Sequence, residues 1–162
     1  MLAIVLANVA FWAVAHAGTG YLVHRLPADR LRRDGWLLRA RRFEGQGRLY
    51  ERARIRRWKD RLPEAGALFA GGVSKRRLPP GRTAGLERFA VETRRAELGH
   101  WLALAAGPLS IAWNPPAGAA AMVAYGVLVN LPFIAIQRYN RQRAQRVLAR
   151  SSGSRSDGPR RR

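Results

Sequence analysis

The sequence contains no cysteine. That excludes disulfides, thiolate metal sites and an acyl-enzyme carried on a cysteine, and it suits a polar portion held in a reducing compartment. Acidic charge is scarce as well: ten Asp and Glu stand against 30 Lys and Arg, a formal net charge of +20 over 162 residues. Taken as a total, the excess suggests a small nucleic-acid binder. Two long stretches, however, lack charge of either sign. All 40 charged residues fall within 25–97 and 138–162, leaving 1–24 and 98–137 empty. At the globular frequency of about one charged residue in four, so large a gap arises by chance on the order of once in a hundred million. The charge pattern is that of an integral membrane protein, and no nucleic-acid partner is expected.

What is present follows that division. About 160 residues is one domain's worth of chain, and roughly 75 central residues remain for structure on the water side. Leu2–Val23 is 22 uncharged residues, about 33 Å of helix against a hydrocarbon core of about 30 Å. An uncleaved anchor is preferred over a signal peptide: Ala15-His16-Ala17 resembles a cleavage site, but no positive region precedes the apolar run. The uncharged stretch 98–137 is broken by Trp113-Asn114-Pro115-Pro116, a turn signal, and reads as a helical hairpin. Its second arm, Ala117–Ile136, is long enough to span. The first, Leu98–Trp113, gives only about 24 Å, so the bilayer thins there or the flank of Glu97 and His100 is drawn inward. With 21 Lys and Arg in 25–95 and nine from Arg138 onward, the positive-inside rule places both basic segments in the cytoplasm. The expected fold is all-α: three transmembrane helices, N-terminus out and C-terminus in, with Arg-rich amphipathic cytoplasmic helices.

The divisions are therefore 1–24, a first transmembrane helix; 25–97, a basic interfacial region; 98–137, the hairpin; and 138–162, a basic tail disordered from about 151, where apolar residues are too few to fold. Within the basic region Trp36, Leu37, Leu38, Phe43, Tyr50, Ile55, Trp58 and Leu62 are interleaved with Arg, a composition suited to helices lying in anionic headgroups. Gly45 and Gly47 predict two short helices rather than one. Pro63, Gly66, Gly71-Gly72 and Pro79-Pro80-Gly81 mark loops. From about Ala84 the spacing of Leu86, Phe89, Ala90, Thr93, Glu97, His100 and Leu104 predicts one helix that runs into the membrane as the first hairpin arm.

Ionisable groups concentrate where that helix meets lipid, and such residues are functional candidates. Glu97 and His100 are i,i+3 neighbours, an arrangement in which a carboxylate orients an imidazole as the base that activates a hydroxyl. If the hairpin turns near Pro115, His100 lies level with Asn130, the one amide inside the last span, and Pro132 leaves a carbonyl near Leu128 without its helical donor. The catalytic candidates are His100, Glu97 and Asn130. Arg94, Arg95, Arg138 and Arg141 suit bidentate contacts to a phosphate-bearing head group, with Glu92, Trp101, Gln137 and Asn140 as further substrate-binding candidates. Each has a plainer reading: His100 and Trp101 as interface anchors, Glu97 paired with Arg94, Asn130 as glue between helices, the arginines as attraction to anionic lipid. Glu-x-x-His occurs once, whereas helical di-metal sites need two copies and further carboxylates, so no metal is expected.

Taken in order, Phe43-Glu44-x-x-Gly47-x-x-Tyr50, Arg57-Trp58-Lys59, Glu92-Thr93-x-Arg95-Ala96-Glu97-x-x-His100-Trp101, Asn130-x-Pro132 and Gln137-Arg138-Tyr139-Asn140-Arg141 resemble the glycosyl-4,4'-diaponeurosporenoate acyltransferases, small membrane proteins of carotenoid biosynthesis. The similarity covers most of 27–143. It departs at Asp60, in a longer Gly/Pro-rich stretch at 66–81, and in an Arg/Ala-rich composition, which bears on the glycolipid acceptor more than on the fold. Arg57 and Lys59, from the shared motif, join the substrate-binding candidates. The resemblance implies transfer of a fatty acyl chain to a sugar hydroxyl of a glycosylated carotenoid acid in a bacterial cell membrane. The co-substrate would be an acyl thioester, such as acyl-CoA, with no further cofactor. In the competing reading the chain is a non-enzymatic basic scaffold that binds anionic lipid or an acidic partner.

Overall fold

The computed structural model describes residues 1–62 and 83–156. Its helices are α1 (Leu2–His24), α2 (Arg48–Arg52), α3 (Ile55–Trp58), α4 (Thr83–Ala106) and α5 (Pro116–Ser156), joined by 3-10 turns at Ala28–Leu31, Arg42–Gly47, Lys59–Arg61 and Gly107–Ala112. There is no strand among the described residues. The Gly/Pro loops expected between Pro63 and Gly81 lie outside them.

α1 is apolar around its whole circumference, and most of that surface is uncovered: Leu6, Val9, Val14 and Leu22 are all exposed. A helix of this kind is stable inside lipid or a protein core. Two helices are long and apolar enough to cross a membrane, α1 and the Pro116–Ser152 part of α5. α4 starts at Thr83, as its periodicity predicts, and buries Leu86, Phe89, Ala90, Thr93, Arg94 and Glu97 along one face. It stops short of the expected first arm. Pro108 lacks an N–H and disfavours the α conformation before it, so Gly107–Ala112 tightens into a 3-10 turn. Beyond Glu97 this leaves about 14 Å of α-helix followed by about 12 Å of 3-10 helix.

α5 opens with Pro116 at its first position, where a missing N–H costs nothing. The helix continues to Ser156. From Arg138 to Arg150 the chain is Arg, Gln, Ala, Leu, Val, Tyr and Asn without Gly or Pro, mostly good helix formers, and Tyr139 and Ala144 are fully buried. Residues 157–162 lie outside the described part.

The three long helices are clasped at both ends. At one end Asn8 Oδ1 accepts from Trp113 Nε1 at 2.7 Å and from Asn114 Nδ2 at 2.9 Å, and Asn8 Nδ2 donates to Asn114 Oδ1 at 2.9 Å. At the other, Arg95 donates to the carbonyls of Val23 (2.5 Å), His24 (3.1 Å) and Leu26 (2.7 Å) at the end of α1. Between them Trp12 wedges against Gly107 and Gly126, where a Cβ on Gly126 would lie 2.7 Å from the ring. The amino end of α1 and the hairpin turn therefore share one end of the bundle, and residues 92–97 and 138–141 occupy the other.

The basic segment packs on α5 through Ile55, which is enclosed with Ile136 and Tyr139 and flanked by Tyr50, Trp58 and Leu62. α2 and α3, of five and four residues, both follow Gly47. Trp36 and Phe43 project outward, 78% and 74% exposed among arginines.

Candidate active site

Where the charged flank of α4 meets α5, three carboxylates and three guanidiniums assemble. Glu97, fully buried, accepts from Arg138 Nε at 2.7 Å, from Arg141 Nη1 at 2.5 Å and from the Trp101 indole at 3.2 Å. Glu44, also fully buried, accepts from Arg138 Nη1 at 2.5 Å, the Arg41 backbone N–H at 2.9 Å, the Tyr50 hydroxyl at 3.0 Å and the Gln142 amide. Asp34 takes Arg94 Nε at 2.6 Å and lies 3.6 Å from Arg141 Nε. Two guanidinium donors reach backbone: Arg138 to the Leu37 carbonyl at 2.7 Å and Arg141 to that of Leu38 at 2.5 Å. Charge balances within the cluster, as it must where ions are removed from water. Burial and the neighbouring Glu44 carboxylate push the Tyr50 phenol above its usual value of 10.0, because a phenolate there would be both desolvated and repelled.

One helical turn deeper, His100 faces Asn130. Its Nδ1 lies 3.1 Å from Asn130 Oδ1, and its ring stacks on Phe133 with centroids 4.8 Å apart and planes 10° apart. Asn130 is fully buried, and its Nδ2 donates to the Gly126 carbonyl at 2.9 Å. With the amide oriented by that bond, Oδ1 is the acceptor turned to the imidazole, an arrangement that matches a ring protonated at Nδ1.

This division of labour differs from the expected one. Glu97 was read as the group that orients His100; instead both its oxygens are taken by guanidiniums, and the partner at Nδ1 is Asn130. Arg94, Arg95, Arg138 and Arg141, read as a clamp for a head group, are turned inward onto carboxylates and carbonyls. Glu92 pairs with Arg95 at 3.4 Å. Gln137 and Asn140 are buried on α5, and Gln137 Oε1 has no donor among the described residues. Arg57 is exposed, and Lys59 meets Asp60 at 2.5 Å. Trp58, between them in sequence, lines an apolar groove of about 520 Å³ with Leu62, Leu128, Leu131, Pro132 and Ala135, on another flank of α5 from Asn130. The level pairing of His100 with Asn130 is present, and sequence reasoning missed the parts of Asp34, Glu44 and Gln142. Their signal was weak: Glu44 stands in a shared motif, but nothing local says which cation it meets.

Residues 34–150 match the protein family described as glycosyl-4,4'-diaponeurosporenoate acyltransferase. Among curated proteins, those of that name from Staphylococcus aureus strain USA300 and strain NCTC 8325 / PS 47 are each 27% identical over 140 residues, 85% of this chain and 84% of the relative. The protein of that name from strain MRSA252 is 26% identical over the same shares. No solved structure matches the chain.

Proposed function

This chain belongs to the glycosyl-4,4'-diaponeurosporenoate acyltransferase family and is an acyltransferase, and from that premise we propose that it esterifies a fatty acyl chain onto a sugar hydroxyl of a glycosylated carotenoid acid, with His100 as general base. The observation that carries the reading is the His100–Asn130 contact at 3.1 Å, at the boundary between the charged cluster and the uncharged helices. The matched region 34–150 contains both residues and the whole ion-pair cluster.

In this mechanism Nε2 of His100 takes the proton of the sugar hydroxyl as its oxygen attacks the acyl carbonyl of a thioester. The tetrahedral intermediate collapses, the C–S bond breaks, and the imidazolium returns its proton to the departing thiolate. An ester and a free thiol result. Asn130 positions the ring through Nδ1, and one of its two amide N–H groups is directed at the Gly126 carbonyl, so its first role is that of a positioning residue. Glu97 acts at one remove by holding Arg138 and Arg141, which ties α4 to α5 on the cytoplasmic side of His100. Gln137 Oε1, a buried acceptor two turns along α5, suits a sugar hydroxyl. The groove beside Pro132 suits an apolar chain, and the uncharged surroundings keep water from the thioester.

The same reading sets the protein in the cell membrane as three spans, with α1 and α5 crossing fully and α4 with its 3-10 extension forming the shorter arm. The amino end and hairpin turn face outward and the basic segments inward. The uncovered apolar surface of α1 supports this, as does the shared end of the bundle at Asn8 and Asn114. The test is acyl transfer by the membrane-inserted His100→Ala protein, given an acyl thioester and a glycosylated carotenoid acid. A general base contributes about 100- to 10,000-fold, so turnover should fall by that order, and near-normal turnover removes His100 from the mechanism.

A further inference from the structure

Because Arg94, Arg95, Arg138 and Arg141 are committed internally, a phosphate-bearing ligand must be met by other cations. A cleft of about 570 Å³ opens between the Arg42–Gly47 turn and the cytoplasmic end of α5, and its lining carries Arg41, Arg42, Arg146 and Arg150 with no carboxylate. Arg42 and Arg150 are exposed. Arg41 donates to the Trp36 carbonyl at 3.1 Å and its guanidinium sits 5.2 Å from the Trp36 ring, which fixes it at the rim. Arg146 meets Glu51 at 3.3 Å in a partly solvated pair, a contact weak enough to be exchanged for a stronger anion. At the floor, Gln142 is buried, and its Oε1 has no donor among the described residues.

The backbone is also unusual here. Gly45, Gln46 and Gly47 take φ of 55°, 56° and 98°, a left-handed turn that strains a non-glycine residue such as Gln46. The two glycines adopt this turn readily, and Gln46 does not. The turn is held because Glu44, at its start, is fixed by Arg138 and Gln142, and it shapes one wall of the cleft.

We propose that this cleft is a binding site for a phosphate-bearing head group. Four guanidiniums line the recess, only Arg146 of them meeting a carboxylate, Glu51, which lies outside the lining; they focus a positive potential, and their planar donor pairs match phosphate oxygens. The site lies sixteen residues along α5 from Asn130 at Arg146, about 24 Å of helix. A soluble acyl carrier with phosphates bound here would need a long flexible arm to bring its thioester to His100, as carriers of the pantetheine class have. A phospholipid could supply the same phosphate, because positions 142, 145 and 149 of the cleft continue the helical stripe of 128, 131 and 135 in the apolar groove. The inference deepens the acyl-transfer reading only by placing the phosphates of the donor. Binding is measured without turnover, so it fails or stands separately from that reaction.

The experiment uses the full chain in phosphatidylcholine nanodiscs, titrated with inorganic pyrophosphate and with coenzyme A. Arg42→Gln/Arg150→Gln should weaken binding about tenfold or more, while Arg30→Gln/Arg33→Gln, which removes the same charge outside the cleft, should change it little. A parallel set in phosphatidylglycerol nanodiscs separates the sources. If the anionic lipid displaces the soluble ligands from the unsubstituted protein, and not from the cleft variant, the head group is a phospholipid's; if it does not, the carrier is soluble. Both results support the site. Equal weakening by the two double substitutions, or none by either, overturns it.

Discussion

Glu97 Oε2 accepts from Arg141 Nη1 at 2.5 Å, and neither side chain reaches solvent. This pair, with Arg138 bridging Glu97 to Glu44, joins α4, α5 and the basic segment at one locus. A carboxylate placed one turn from the proposed base is thus a structural ion.

Removing one member of such a pair leaves a buried charge uncompensated, which costs about 3–5 kcal/mol. Glu97→Ala should therefore lower thermal stability severely. Glu97→Ala combined with Arg141→Met should recover part of the loss, because the second change removes the orphaned charge. Thermal unfolding of the single and double variants in detergent checks this, and strict additivity of the two losses would remove the pairing argument.

Asn130→Ala deletes the acceptor at His100 Nδ1. A neutral hydrogen bond contributes about 1 kcal/mol, so kcat should fall about fivefold or more, with KM for the thioester little changed and the pH–rate profile displaced. Asn130→Asp should keep the acceptor and, because a carboxylate there favours the protonated ring, move the acid limb of the profile to higher pH. Unchanged profiles in both, with altered stability alone, would make Asn130 purely a packing residue.

Gly126→Ala tests the contact that aligns Asn130. The added Cβ would lie 2.7 Å from Trp12 Cη2, the edge of a buried ring, and overpacking of this kind costs about 1–3 kcal/mol. Activity should fall as well, because the Gly126 carbonyl orients Asn130. Trp12→Leu in the Gly126→Ala background should restore stability, measured by thermal unfolding.

Tyr50 gives a pH dependence. Its pKa is raised by burial and by Glu44, so the neutral phenol is the form the fold favours. The associated stability is complete below the unfolded value of about 10 and is lost as pH rises above it. Tyr50→Phe, which cannot ionise, should flatten the decline in unfolding temperature above pH 10. An equally steep decline in both proteins would assign it to other groups.

Periodicity placed the start of α4, and charge distribution alone marked the two uncharged stretches, because a long uncharged run and a repeated apolar spacing are properties of neighbouring residues. The end of the first arm was missed although its cause is local: Pro108 overrode the apolar run. Tyr139 and Ala144 bury against segments distant in sequence and carry α5 past its uncharged stretch.

For the site, the sequence by itself determined which residues stand at the boundary and that an antiparallel hairpin brings His100 level with Asn130, since that follows from helix rise and a turn near Pro115. It could not assign partners to charges. Glu97 had several basic residues within reach along the chain, and only the packing of α5 and the Arg42–Gly47 turn against α4 gave it Arg138 and Arg141, 41 and 44 residues away. Which carboxylate meets which guanidinium depends on distances in space and on the cost of leaving any one of them unpaired. That decision belongs to the tertiary structure, and it separates the arginines that hold the protein together from those left to face a ligand.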